Sequence, residues 1–131
     1  MEFLSPLRYP GGKAKVADFV RCLIEKNALL DGTYVEPYVG GGSVALSLLF
    51  NEYVKDIYIN DTDIAIYAFW HSILHEPAAL CKLIKDTPVT VDTWFKLRDY
   101  QEKTDNVDLL HLGFSTFFLT GTMLSGILKT G

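Results

Sequence analysis

The spacing of apolar residues along the chain predicts several amphipathic or buried helices. Between residues 14 and 26 the apolar side chains recur every three or four positions, which is the spacing of one helix face. We expect that face to be buried; it consists of Val16, Phe19, Val20, Leu23 and Ile24. Similar patterns predict helices over 43–50, 64–75, from Pro77 onward, 92–100 and 108 to about 120.

Two short apolar segments, 33–36 and 57–60, predict strands on either side of helix 43–50. This strand–glycine loop–helix–strand order has the length of a βαβ crossover, which implies two parallel strands. Parallel strands normally belong to a larger, covered sheet, and 89–91 is the remaining strand candidate. The predicted class is α/β: a partial Rossmann-like fold followed by a mainly helical segment.

The composition suits one folded domain without a general affinity for nucleic acid. The chain has 131 residues, a net charge of -4 and 49% hydrophobic residues. It contains no bilayer-length apolar run, and its N-terminus has no signal-peptide pattern, so we expect a cytoplasmic protein without a membrane partner. Arg8, Lys13, Lys15 and Arg21 form the densest basic group, either a phosphate contact or a solvated helix face.

The cysteines and two of the histidines give weaker indications. Cys22 and Cys81 are far apart in sequence, and we expect both to be buried, reduced thiols; one disulfide is the alternative. His71 and His75 have the i, i+4 spacing of helical metal ligands. No third ligand accompanies them, which favours two surface histidines without a metal.

A run of three glycines follows the first predicted strand. Gly40, Gly42 and Ala45 fit the G-x-G-x-x-G/A pattern of nucleotide-binding turns, with Ser43 as the expected helix cap. Asp61 comes about 20 residues later, where an acid accepts hydrogen bonds from ribose hydroxyls. The alternative is that this segment only caps the next helix, with Thr62 or Asp63 well placed to do so.

Glu36 stands at the mouth of this loop and changes the expected ligand. A carboxylate there would repel a pyrophosphate by roughly 1–4 kcal/mol. S-adenosylmethionine carries a sulfonium, an ammonium and no phosphate, so the loop favours this methyl donor over NAD. The alternative is that Glu36 pairs with Lys13 or a backbone N–H. A P-loop is excluded, because Leu7 and Ala14 replace its first glycine and its Ser/Thr.

Three segments together resemble the Dam-like, adenine-specific DNA methyltransferases: P-L-R-Y-P-G-G-K (6–13), V-E-P-Y-V-G-G-G-S-V (35–44) and I-N-D-T-D-I-A-I-Y-A-F-W (59–70). The resemblance implies S-adenosylmethionine as cofactor and residues 1–75 as the donor-binding part of the methyltransferase domain. The implied donor-binding residues are Tyr9, Pro10, Gly11, Gly12, Lys13, Glu36, Pro37, Tyr38, Gly40, Gly42, Ser43 and Asp61.

A fourth segment, 117–128, resembles the family's helix and turn that contribute to DNA recognition. The resemblance implies that 76–131 begins a target-recognition region for double-stranded DNA. For the chain as a whole, the implied contacts with DNA are Arg8, Lys13, Thr122 and Ser125. Here Thr120-Gly121 stands where the family usually has Asn-Arg, and a glycine has no side chain with which to contact a phosphate or base.

The family's D-P-P-Y segment, which holds the target adenine, is missing. The five prolines stand at 6, 10, 37, 77 and 88, so no two are adjacent. We therefore expect the donor-binding portion of an enzyme that methylates the exocyclic amino group of adenine in DNA, with no catalytic residue assigned and no turnover by this chain alone. The alternative is a degenerate, non-catalytic module that binds donor or DNA weakly. Its open sheet edge would self-associate or pair with a missing C-terminal half.

Overall fold

A computed structural model describes residues 5–8, 14–103 and 108–122. These residues form six helices and two strands, which fall into two compact units, Met1–Thr62 and Asp63–Gly131. The boundary predicted at residue 75 separates a donor-binding region from a target-recognition region. It describes function and not packing, and it stays a prediction. The elements are α1 (Ala14–Lys26), β1 (Gly32–Glu36), α2 (Ser43–Phe50), β2 (Val54–Ile59), α3 (Ile64–His75), α4 (Pro77–Asp86), α5 (Val91–Glu102) and α6 (Leu109–Thr122).

In the first unit, β1 and β2 pair in parallel, as predicted, and Val35 lies opposite Tyr58. Helices α1 and α2 contribute to the apolar cluster against one sheet face, formed by Ala17, Ile24, Val44, Leu48 and Val54 with Val20, Tyr34, Tyr53 and Ile57 packed against it. β2 begins three residues before the predicted start. Its first residue, Val54, is buried in the cluster. The charged, exposed Lys55 and Asp56 that follow interrupt the apolar pattern, so the sequence did not indicate where the strand begins.

The opposite face of the sheet is open among the described residues. Val35 and Tyr58 expose 61% and 66% of their surfaces there. Residues 89–91, the remaining strand candidate, do not form a strand. The hydroxyl of Thr90 accepts a hydrogen bond from the N–H of Thr93 at 3.1 Å, and this cap starts α5 at Val91. The sheet therefore has two strands in this part of the chain.

The predicted buried face of α1 is only half right. Ile24 is buried and Val20 partly buried, but Val16, Phe19 and Leu23 expose 45%, 63% and 44%. The apolar face of this helix is wider than the surface that α2 and the sheet cover. The side of that face that they leave uncovered therefore faces solvent.

The turn between α1 and β1 places Ala28 in the left-handed region, at φ 53°. The N–H of Leu29 donates to the carbonyl of Ile24 at 2.9 Å, and that of Ala28 donates to the carbonyl of Glu25 at 3.2 Å. These bonds satisfy carbonyls at the end of the helix. Glycine is the usual residue in such a position, so alanine adopts a strained conformation here.

In the second unit, α6 packs against α3, α4 and α5. Phe114, Phe118 and Leu119 are buried with Leu80, and Phe117 stacks on Phe69 at a ring-centroid distance of 6.1 Å. The helices α3 and α6 approach closely at Gly113. The hydroxyl of Ser72 lies beside this crossing and donates to the carbonyl of Ala68 at 2.7 Å.

The predicted burial of both cysteines is wrong. Cys22 and Cys81 are exposed, and neither forms a disulfide. Each lies on a solvent-facing side of an amphipathic helix, a position that sequence spacing alone did not indicate. The rings of His71 and His75 lie in contact, with centroids 4.4 Å apart and planes tilted by 39°. Among the described residues, no three potential ligands gather into a metal site, and no helix is long and apolar enough to cross a membrane.

Candidate functional site

The glycine loop connects β1 to α2 and has a left-handed backbone at two positions. Gly40 has φ 51° and Gly42 has φ 71°. Glycine adopts these angles without the steric cost that a Cβ would impose. Gly42 is also the N-cap residue of α2, and its carbonyl accepts the N–H of Leu46 at 2.9 Å. The predicted cap, Ser43, is instead the first helical residue, since the left-handed cap position suits glycine.

The loops that follow β1 and β2 are joined by hydrogen bonds. Asn60 donates its N–H to the carbonyl of Glu36 at 3.0 Å and accepts from the N–H of Val39 at 2.9 Å. A side chain adds a third bond, because Asp61 Oδ2 accepts from the N–H of Gly40 at 2.9 Å. The structure thus brings the glycine loop and Asp61 together at the carboxyl ends of adjacent parallel strands, which is where α/β folds bind ligands.

Two carboxylates flank this edge of the sheet. Glu36 is 6% exposed at the end of β1, whereas Asp61 is half-buried. Burial and then the negative charge of Glu36 raise the pKa of Tyr34. Asp61 does not cap the following helix; Asp63 does so, because its Oδ1 accepts the N–H of Ala65 at 2.9 Å. Asp63 therefore takes the capping role, and Asp61 bonds to the glycine loop instead.

A segment before α1 contacts the glycine loop. The hydroxyl of Ser5 donates to the carbonyl of Gly41 and also lies 2.9 Å from the carbonyl of Leu7, whose side chain is fully buried. Arg8 is exposed beyond it. The candidate donor-binding residues Tyr9, Pro10, Gly11, Gly12 and Lys13 lie outside the described residues.

Sequence reasoning missed Ser5 and Asn60. Serine before proline is a common loop sequence, and the bonds of Asn60 come from its backbone. Neither residue therefore carried a distinctive side-chain signal. Of the remaining donor candidates, Pro37 and Tyr38 are exposed on the loop, and Tyr38 presents 63% of its surface.

Comparison with known families decides what this arrangement belongs to. The sequence model described as D12 class N6 adenine-specific DNA methyltransferase matches residues 9–126, which is most of the chain. The chain belongs to this family. The match confirms the resemblance to Dam-like adenine methyltransferases and includes both the glycine loop and α6. No curated protein matches the chain closely enough to extend this assignment.

For a member of the D12 family, the fold is mixed as expected. The two parallel strands and six helices of the described residues are compatible with part of a methyltransferase domain. The family acts on adenine in DNA, which gives a function to the residues that the resemblance implies as DNA contacts. Of these, Lys13 and Ser125 lie outside the described residues.

The described DNA candidates are Arg8 and Thr122. Arg8 is exposed, as a phosphate contact requires. Thr122 ends α6, where its hydroxyl donates to the carbonyl of Phe118 at 2.7 Å. Beside it, a Cβ at Gly121 would meet no heavy atom within 4 Å among the described residues, apart from the backbone of its own helix.

Arg21, a member of the basic group that lies on α1, forms contacts within the first unit. Arg21 donates to Ser47 Oγ at 2.6 Å and pairs with Asp18 at 3.0 Å. Its guanidinium also lies 5.4 Å from the ring centroid of Tyr53. These contacts tie α1 to its own unit, whereas the neighbouring Lys15 is exposed.

Proposed function

We propose that this chain is the donor-binding portion of a D12-class adenine-specific DNA methyltransferase, with S-adenosylmethionine at the carboxyl ends of β1 and β2. One observation carries the proposal. The N–H of Gly40 donates a hydrogen bond to the carboxylate of Asp61 after β2, and a second acid, the buried Glu36, ends the neighbouring strand β1. The family's DNA substrate is consistent with a cytoplasmic protein.

Hydrogen bonding within the loop argues against a phosphate ligand. Loops that bind phosphate direct their backbone N–H groups to the anion. Here the N–H of Val39 donates to Asn60, that of Gly40 to Asp61 and that of Gly42 to the carbonyl of Val39 at 2.8 Å. Three N–H groups of the loop therefore already have acceptors within the protein.

The charges favour a cationic ligand without phosphate. Carboxylates at Glu36 and Asp61 would repel a pyrophosphate and attract a sulfonium or ammonium group. S-adenosylmethionine has both cations and also a ribose whose hydroxyls suit Asp61. By family resemblance, the segment from Tyr9 to Lys13, together with Pro37, Tyr38, Gly42 and Ser43, would surround the rest of the donor.

When bound, the donor supplies an electrophilic methyl group on its positively charged sulfur. In the complete reaction the exocyclic nitrogen of adenine forms a bond to this methyl carbon and the carbon–sulfur bond breaks. The amino group loses one proton, and S-adenosylhomocysteine remains. Burial of Glu36 places its charge in a poorly screened environment, where it would hold the cationic donor more effectively than an exposed acid would.

We expect no turnover by the 131-residue chain alone. Its sequence lacks the D-P-P-Y segment that holds the target adenine in the family. Transfer of a radiolabelled methyl group from S-adenosylmethionine to an adenine-containing duplex should be undetectable with the pure chain. Methylated adenine in that assay would contradict catalytic incompleteness and leave the donor-site proposal intact.

The direct test compares three ligands by calorimetric titration: S-adenosylmethionine, S-adenosylhomocysteine and NAD. S-adenosylmethionine should bind more tightly than NAD. The substitution Glu36→Gln should reduce the preference for S-adenosylmethionine over S-adenosylhomocysteine by about tenfold, since the latter lacks the sulfonium charge. Glu25→Gln, which alters an exposed acid on α1, serves as the matched control. Tighter binding of NAD, or an unchanged preference in Glu36→Gln, would contradict the proposal.

The alternative function is a non-catalytic module, and one observation favours it. The pair Val35 and Tyr58 is exposed on a two-stranded parallel sheet, although such sheets are normally covered on both faces. This exposed apolar surface suits self-association of the chain. Light scattering that detects dimers, which Tyr58→Glu returns to monomers, would support the alternative. A chain that stays monomeric would count against it.

A further inference from the structure

We propose that Asp61 is a positioning residue whose carboxylate holds the glycine loop in shape before any donor binds. This role goes beyond contact with a ribose, since Asp61 acts here through Gly40. The identity of the ligand rests on the proposed function. The contact itself does not, because it joins two groups of this chain.

The side chain of Asp61 connects the loops of two different strands. Asp61 follows β2 by two residues, and its Oδ2 lies 2.9 Å from the backbone nitrogen of Gly40 in the loop after β1. The backbone bonds of Asn60 to Glu36 and Val39 bring the two loops within reach of each other. An ionised acceptor makes a stronger hydrogen bond than a carbonyl does. Asp61 is therefore well suited to fix the position of the Gly40 peptide.

Each of the three consecutive glycines is held by a different part of the chain. Gly40 donates to Asp61, Gly41 accepts from the hydroxyl of Ser5, and Gly42 donates to the carbonyl of Val39. Three adjacent glycines would otherwise have more conformational freedom than any other tripeptide. A ligand that binds an already ordered loop does not have to supply the free energy of ordering it. Loss of the Asp61 contact should therefore weaken every ligand that uses the loop.

The first test measures hydrogen exchange at the Gly40 amide in the ligand-free chain. Asp61→Ala removes the acceptor and should speed this exchange at least tenfold. Asp61→Asn retains a side-chain oxygen that can accept the same N–H, and its exchange should stay within about threefold of the original. Asp63→Ala removes a carboxylate that caps α3 and should leave Gly40 unchanged.

Amides within the strands provide the folding control. The amides of Tyr34 and Tyr58, which point into the strand pair, should remain protected in all three variants, so a local effect at Gly40 is distinguishable from unfolding. Unchanged Gly40 exchange in a folded Asp61→Ala chain would overturn the proposal. If Asp61→Ala unfolds, the Asp61→Asn comparison decides: fast Gly40 exchange in a folded Asp61→Asn chain would overturn it as well, and retained protection would support it.

The second test separates positioning from direct ribose contact. It compares S-adenosylmethionine with an analogue that lacks both ribose hydroxyls. A positioning role predicts that Asp61→Ala weakens the binding of both ligands about tenfold or more. Asp61→Asn should partly restore the affinity for the analogue. A loss confined to S-adenosylmethionine would overturn it. If the unsubstituted chain binds neither ligand, the proposed function fails, and Gly40 exchange still decides whether Asp61 holds the loop.

Discussion

Gly113 and Gly121 lie in the same helix, α6, and substitution of each by alanine should have opposite effects on stability. A Cβ at Gly113 would lie 2.6 Å from the carbonyl oxygen of Ala68 and 2.7 Å from Ser72 Oγ. The first of these atoms belongs to the backbone of α3 and cannot rotate away. At Gly121, no described atom outside the backbone of α6 lies within 4 Å of the added carbon.

The magnitudes follow from these distances. Alanine is favoured over glycine within a helix by about 1 kcal/mol, and this is the expected gain for Gly121→Ala. At Gly113 the same gain is opposed by overpacking, which typically costs about 1–3 kcal/mol. The hydroxyl of Ser72, whose single proton is shared between the carbonyls of Ala68 at 2.7 Å and Leu109 at 3.2 Å, would also lose a bond worth roughly 1 kcal/mol. Gly113→Ala should therefore lower the free energy of unfolding by about 2 kcal/mol.

Urea denaturation followed by tryptophan fluorescence reports on the correct unit, because both tryptophans, Trp70 and Trp94, lie in the second unit. The two variants should differ by about 3 kcal/mol in the free energy of unfolding, with unchanged slopes. Equal stabilities, or a Gly113→Ala chain as stable as the original, would refute the close approach of α3 and α6. A lower stability for Gly121→Ala would refute the open environment inferred at that position.

Three further predictions concern local features of the fold. Ala28→Gly should raise the free energy of unfolding by about 0.5–1 kcal/mol, because it relieves a left-handed alanine; urea denaturation followed by circular dichroism would measure this. Thr90→Ala removes the cap on the N–H of Thr93 and should destabilise the second unit by about 1 kcal/mol, measured by tryptophan fluorescence. The hydrogen bond from the His111 side chain lowers the pKa of Asp108. This contribution to stability is present above about pH 4 and is lost as the pH falls through the lowered pKa. In His111→Ala, the pKa of Asp108 should return toward its ordinary value, and an NMR titration of the carboxyl carbon would measure this change.

The long helices could be predicted because their apolar periodicity extends over several turns. The boundaries of α1, α2 and α3 agree with the sequence prediction to the residue. The outward half of α1 could not be predicted in the same way. Phe19 and Ile24 look equally apolar in the sequence, and which of them is buried depends on where α2 and the sheet pack. Similarly, Cys22 is exposed although cysteine is usually a buried residue type.

The candidate site could be predicted as far as side chains with a known spacing reveal it. Gly40 and Asp61 were found in this way, and the structure brings them together. The contributions of Asn60 and Ser5 could not be found, since they depend on strand register and on a long-range contact with the carbonyl of Gly41. The cap at Gly42 was missed because serine is the more common cap residue, whereas a left-handed backbone at that position selects glycine.

The central claim is that the loop after β1 and the acid after β2 form the site for S-adenosylmethionine. The most direct measurement is a titration of the ¹⁵N-labelled chain with this donor, followed by amide NMR. The account predicts progressive shifts of the amides of residues 36, 38–43 and 60–61, while those of α4 and α5 stay in place. A folded chain whose loop amides do not move, or whose shifts are confined to α4 and α5, would contradict it.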